Sequence, residues 1–260
     1  MNTQNKKNYH LFSTSSFSAK EYSNVHCQMH ANLEMEIVIV HDGELNITIE
    51  KSKYNVKKGE CIFILPFEQH NFNSINDNVS HVIMFHDPYY NFFFQMVGNY
   101  QPKTRIFSIE TNLESYISQL LADKNSHEIL LQHSIVFPLF HEIKEKCEFY
   151  EEKIYSDLFL DALTYINKNL SSALLSEQQI ADALFIHPVS LSRIFSKCTG
   201  MNIKKYINQR RVIYSYELLQ QGRSITDAAY EAGFGSIRNF NRAFYDYFQQ
   251  TPTEILKNKG

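Results

Sequence analysis

Two stretches near the C-terminal end resemble one another, and this repeat constrains the fold more than any other feature of the chain. Residues 176–200 run SEQQIADALFIHPVSLSRIFSKCTG, and residues 224–252 run SITDAAYEAGFGSIRNFNRAFYDYFQQTP. Each predicts a capped helix, a short break and a second amphipathic helix carrying Leu/Phe-x-Arg-x-Phe. Leu191, Arg193 and Phe195 recur as Phe240, Arg242 and Phe244, 49 residues later. Ser176 opens a Ser-x-x-Gln box and Ser224 a Ser-x-x-Asp box, and both are helix start signals. In the first unit Ile180, Ala181 and Leu184 face a core, and the chain breaks at Phe185–His187. Pro188 then suits the first position of the next helix, where a missing N–H costs nothing.

On that next helix Leu191, Ile194, Phe195 and Cys198 form one stripe. At about 100° per residue, Val189 and Arg193 point the opposite way, flanked by Ser190, Ser192 and Lys197. Thr199-Gly200 ends the helix. The second unit buries Phe240, Ala243, Phe244 and Tyr247. It turns Arg238 and Arg242 outward one turn apart, with Asn241 beside them and Asn239 on the same candidate surface. Gly233 and Gly235 permit the tight turn before it. Between the units, residues 202–221 predict one long helix. Tyr206, Ile207, Val212, Ile213, Tyr216 and Leu219 are available for burial, and Gly222 follows the end.

The outward residues have a chemistry in common. Arginine can bridge two acceptors of guanine, and asparagine pairs with adenine, in the major groove. Lys197, Lys204, Lys205, Arg210 and Arg211 suit phosphates, which position without specifying. A rigid rod that sets two such helices in successive major grooves holds them roughly 34 Å apart. The charge agrees with double-stranded DNA as the partner. Residues 171–260 carry 11 Lys/Arg against 7 Asp/Glu, whereas the preceding 170 carry 14 against 21, all inside a net charge of -3. A basic end on an acidic body is what phosphates attract.

The first half has another grain. Glu36–Val40 is apolar and β-branched, His41-Asp42-Gly43 supplies a turn, and Leu45, Ile47 and Ile49 alternate with polar residues at period two. Residues 57–60 turn again, Cys61–Leu65 stops at Pro66, and His81–Phe85 closes the series. Short strands at regular turns predict a small sandwich or barrel. From about residue 88 the period becomes helical, over 112–122 and 127–148, with Pro138 as a kink point; a further helix covers about 154–169. The charged stretch 142–153 reads as a linker. Tyr89, Tyr90, Phe92, Phe93 and Phe94 read as core beneath the strands, and His41, His81 and His86 as polar strand ends. The fold class is α+β.

These residues give the chain a resemblance. Over about residues 156–256 it resembles the AraC/XylS family of bacterial transcription regulators. Ile225, Ala229, Gly233, Phe234, Phe240, Arg242 and Phe244 stand where the second unit's signature has them. Two departures lie here. The basic residue usual after each unit's phenylalanine is Ser196 and Tyr245, and the glycine before Thr251-Pro252 is Gln249. More weakly, residues 26–73 resemble the cupin-like barrel of the arabinose-regulator type, through His26, His30, Glu36, Gly43, Gly59, Pro66 and His70. The enzymatic pattern His-x-His-x(3,4)-Glu is broken, and either Glu34 or Glu36 could be the carboxylate.

The resemblance implies a sensing barrel (1–110), a helical dimerisation or linker region (111–152) and a DNA-binding domain of two helix-turn-helix units (153–260). It implies a homodimer joined through the two helices, and a small-molecule effector lined by His26, His30, Glu36 and His70. RNA polymerase becomes a partner if the chain activates. No catalytic residue, cofactor or metal is expected. Two rival readings are a metal-dependent cupin enzyme with an accessory tail, and a DNA-binding protein whose barrel only dimerises. The polar start MNTQNKKNYHLFSTSS and the absence of an apolar run near 18–20 residues argue against a leader or membrane span. Cys27, Cys61, Cys147 and Cys198 lack paired spacing. That fits a reducing cytoplasm.

Overall fold

A computed structural model of the protein describes residues 17–74, 77–86, 89–122 and 128–257. The polar start read above lies outside these residues, as does position 127. The chain divides into two compact units at Ile154/Tyr155.

The first unit holds β1 (Phe17–Ser23), β2 (His26–His30), β3 (Met35–Asp42), β4 (Glu44–Ile49), β5 (Ser52–Lys57), β6 (Glu60–Ile64), β7 (His70–Asn73) and β8 (Val79–Phe85). These are followed by α1 (Tyr89–Val97), β9 (Tyr100–Pro102), β10 (Ile106–Ser108), α2 (Thr111–Ala122), α3 (Ile129–Lys146) and β11 (Phe149–Lys153). One sheet runs β1-β8-β3-β6-β10 and a second β2-β7-β4-β5, all neighbours antiparallel.

Alternation decides what lies between the sheets. Leu45, Ile47 and Ile49 of β4 face inward, as the period-two pattern requires. They meet Val38, Val40, Ile62, Ile64, Val82 and Met84 from the other sheet. The opposite face of β3, β6 and β8 is covered too. Phe63 packs against Phe93 of α1 at 5.9 Å, and Phe85 meets Phe140 of α3 edge-on at 5.4 Å. A strand buried on both faces has no polar side, which is why β3 is apolar from Ile37 to Val40. Tyr89, Tyr90, Phe93 and Phe94 are buried here as expected, while Phe92 is 46% exposed. Fully burying a phenylalanine contributes roughly 1.5–3 kcal/mol, so this aromatic layer fastens α1 and α3 to the sheet. Residues 142–153 are not a linker: α3 continues to Lys146, and β11 pairs with β9.

The second unit is helical: α4 (Asp157–Lys168), α5 (Glu177–Ala183), α6 (Pro188–Thr199), α7 (Ile203–Gln220), α8 (Ile225–Glu231), α9 (Ile237–Phe248) and α10 (Pro252–Lys257). Ser156, Ser176, Asn202, Ser224 and Ser236 each cap a helix start by accepting a backbone N–H. Arg211, read as a phosphate residue, is instead inside. Its Nε donates to Leu170 O at 3.0 Å and its Nη2 to Ser172 O at 2.7 Å. Its guanidinium lies 5.9 Å over Phe234.

The repeat survives in the backbone with two mismatches. The turn after α8 uses Gly233 at φ 90, and the matching turn after α5 uses Phe185 at φ 55. Helix α6 ends on Gly200 at φ 68, and α9 ends on Gln249 at φ 54. A side chain in this left-handed region costs about 1–2 kcal/mol, and Phe185, 95% exposed, gains no packing in return. Phe185→Gly and Gln249→Gly are each expected to raise unfolding stability by roughly 0.5–1 kcal/mol in urea titration. A loss in either variant would mean that the side chain contributes more than its backbone strain removes.

Candidate functional site

Packing sets the rotation of α6 and α9. On α6, Leu191, Phe195 and Thr199 are buried, with Phe195 against Phe159 at 5.3 Å and Tyr206 at 5.1 Å. On α9, Phe240, Phe244 and Tyr247 are buried. Phe240 meets Phe234 at 5.3 Å, and Phe244 meets Phe248 at 4.7 Å. The helical period then forces the other sides outward. Val189, Ser190, Arg193 and Lys197 on α6 are exposed and Ser192 half-buried, while Arg238, Asn239, Asn241 and Arg242 on α9 are exposed. His187 caps α6, its Nδ1 accepting from Val189 N at 3.2 Å.

None of Arg193, Arg238, Arg242 or Lys197 makes an ion pair or side-chain hydrogen bond among the described residues. Their donors are therefore available to an outside acceptor. Asn239 and Arg242 also line a cavity of about 420 Å³ with Lys204, Asn208, Arg211 and Phe234. This cavity lies between the two helix-turn-helix units, and nothing in the periodicity announced it.

In the barrel, three of the four expected pocket residues meet. Glu36 is fully buried, and its Oε1 lies 3.2 Å from His70 Nε2. The His30 and His70 rings are 4.3 Å apart between centroids. Asn32 Nδ2 donates to Glu36 Oε1 and lies 3.3 Å from His30 Nε2. His26 does not join them, and a β-bulge is the reason. Cys27 pairs with Phe72, but His30 instead of Met29 sits opposite His70. The extra residue resets the side-chain alternation. It puts His30 on the face of Cys27, whose Sγ lies 3.4 Å from His30 Nδ1, and leaves His26 on the other.

Electrostatics tie the cluster together. Burial raises the Glu36 carboxyl, but His70 and Asn32 more than reverse this and hold it below its ordinary range. Burial lowers His70, yet the Glu36 charge, with the Glu68 carbonyl, lifts it above its usual value. His30 is lowered, first by burial and then by His70. Around them, Arg105 grips Glu68 through both guanidinium nitrogens, one at 2.7 Å. The Glu68 carbonyl in turn holds His70 Nδ1 at 2.9 Å.

Sequence reasoning missed a second buried pair. Glu34 Oε1 lies 3.5 Å from His86 Nε2, both nearly without exposure. His86 is thus no polar strand end, and both glutamates have histidine neighbours. The available signal was LEMEIVIV itself: carboxylates in an apolar run demand partners. His41 is also more than a strand end, with Nδ1 2.8 Å from Glu114 Oε1 and Nε2 2.8 Å from His81 Nδ1.

Residues 14–165 match the family described as AraC-like ligand binding domain, and residues 180–258 match a helix-turn-helix domain. The chain belongs to the AraC family, and it is a helix-turn-helix transcription regulator with a ligand-binding domain. Among its relatives is the HTH-type transcriptional activator RhaS of Yersinia pestis (strain Pestoides F), 23% identical over 234 residues and 85% of each chain. RhaS of Yersinia pseudotuberculosis serotype O:1b matches to the same extent, 23% over 234 residues. ToxT from Vibrio cholerae shares the fold at a TM-score of 0.57 and 17% identity, covering 94% of this chain and 98% of that one. No helix among the described residues is long and apolar enough to cross a membrane.

The His81 imidazole gives a pH test of this half. Burial, then His41, push it down from 6.5 to about 4. Between those values the unfolded chain binds the proton more tightly, so stability present above pH 6.5 is lost as pH falls toward 4. His81→Gln is expected to flatten that loss in urea unfolding followed from pH 7 to 4. A variant as acid-sensitive as the parent would acquit His81.

Proposed function

We propose that this regulator acts as a homodimer whose tandem recognition helices enter successive major grooves of one duplex. In the first unit Val189, Ser190, Ser192 and Arg193 meet base edges and Lys197 a phosphate. In the second, Arg238, Asn239, Asn241 and Arg242 read bases. What carries this reading is the set of arginines that leave α6 and α9 without a partner among the described residues while phenylalanines fix the opposite faces.

The barrel receives the effector at His30, Glu36 and His70, and His26 has no part in it. An effector shifts DNA affinity only by its own differential affinity for two arrangements of the dimer. Dimerisation uses α2 and α3, which leave Tyr116, Ile129 and Leu130 exposed at 46%, 55% and 71%. The relatives carry the name of activators, and activation would make RNA polymerase the protein partner, in the cytoplasm. The chain works by binding, not by turning over a substrate.

Arg242→Ala is expected to weaken binding to a footprinted cognate site by about 1–3 kcal/mol and to relax base preference at one position. Equal weakening on random DNA would make Arg242 a phosphate contact. Binding should also fall steeply with salt in a titration from 50 to 200 mM; a flat response would remove the duplex from the proposal.

A further inference from the structure

Three ligating atoms converge inside the barrel, and the groups around them do not satisfy them all. His30, Glu36 and His70 each contribute one, and all lie within 4.8 Å of one another. The 3.2 Å between His70 Nε2 and Glu36 Oε1 is close to the distance between donors that share one ion at about 2.0–2.2 Å. Glu36 Oε2 and His70 Nε2 are both buried and make no hydrogen bond among the described residues. Buried groups left this way are costly, and a cation would engage both.

The backbone has already chosen the tautomers such a cation needs. His30 Nδ1 lies 2.9 Å from Gln28 O, and His70 Nδ1 lies 2.9 Å from Glu68 O. A ring that donates there from Nδ1 presents Nε2 to the cluster, and a cation bound at His70 would take the place of any proton on that atom. The Glu68 segment is fixed in turn by the Arg105 fork. Imidazole ligands oriented by carbonyls, with those carbonyls themselves held, are the usual outer support of a metal site. Asn32, which bridges Glu36 and His30, carries an amide oxygen as a further donor. The half-buried His30, on the edge strand β2, gives the ion a way in.

We propose that the barrel binds one divalent transition-metal ion through His30 Nε2, Glu36 and His70 Nε2. Two imidazoles and one carboxylate suit Zn²⁺, Fe²⁺, Mn²⁺ or Co²⁺. The inference rests on the barrel being the effector end of the proposed regulator, and it names the chemistry of what that end takes up. The ion needs no catalytic role. By bridging β2, β3 and β7 it would stiffen one end of the barrel.

Full-length protein is stripped with chelator, dialysed against Zn²⁺ or Co²⁺, and its metal content measured. The expected result is one equivalent per folded chain, with d–d absorption bands for the Co²⁺ form. His30→Ala and Glu36→Gln should each weaken uptake at least tenfold, with folding followed by circular dichroism on the same samples. X-ray absorption of the parent Zn²⁺ protein keeps the test independent of the variants. It should show nitrogen and oxygen neighbours at about 2.0–2.1 Å with imidazole scattering and no sulfur. Substoichiometric metal in folded parent protein, unchanged uptake in both variants, or sulfur ligation would each overturn the site. DNA binding is titrated separately, with and without metal. Its loss in both states would sink the regulator reading alone, whereas binding indifferent to a stoichiometric ion would leave the metal structural and remove its effector role.

Discussion

What α6 and α9 turn to solvent depends on how two phenylalanines are buried. Phe195 and Phe244 lock α6 and α9 against rotation about their own axes, because each ring fits among aromatic neighbours that leave one orientation. Arg193 and Arg242 stand two residues before those rings. Two residues along a helix is about 200° around it, so an arginine there cannot share the core and must point to the far side. The outward guanidinium is thus a consequence of core packing.

The barrel obeys the opposite rule. Between its sheets lies a largely apolar core, and beside it a fully buried carboxylate sits among imidazoles. Such a charge is tolerable only when paired, and each pairing there leads to another. Glu36 needs His70, His70 leans on the Glu68 carbonyl, and Glu68 is gripped by Arg105. Removing the first or last of these leaves the rest exposed to the same desolvation cost. The cluster therefore behaves as one unit.

Much of this could be read in the residues because periodicity reports burial. The stripes on α6 and α9, the alternation of β4 and the serine caps all follow from which side chains must leave water. The glycines before α9 were equally visible, although of Gly233 and Gly235 it is Gly233 that takes the left-handed conformation. What escaped were events that leave no compositional mark. The bulge in β2 is a main-chain insertion, so the sequence spacing of His26 and His30 suggested a shared face that the register denies. Arg211 looked like any exposed helical arginine, since nothing local reveals the two carbonyls waiting for it. The charged run 142–153 resembled a connector because β11 is an edge strand with little to bury.

The loop after α4 carries a further implication. Leu170 O accepts from Arg211 Nε at 3.0 Å, and a Cβ added at Gly233 would come within 2.5 Å of that same oxygen. One carbonyl is therefore shared by the segment leading into the first unit, the central rod, and the turn of the second unit. Through that carbonyl the two helix-turn-helix units are tied to one another. On the proposed reading, inserting a single base pair between two operator boxes would swing one box about 34–36° out of phase. If both units read one duplex as proposed, following that swing would disturb the contacts at Leu170 O, so this node would constrain the length of the spacer.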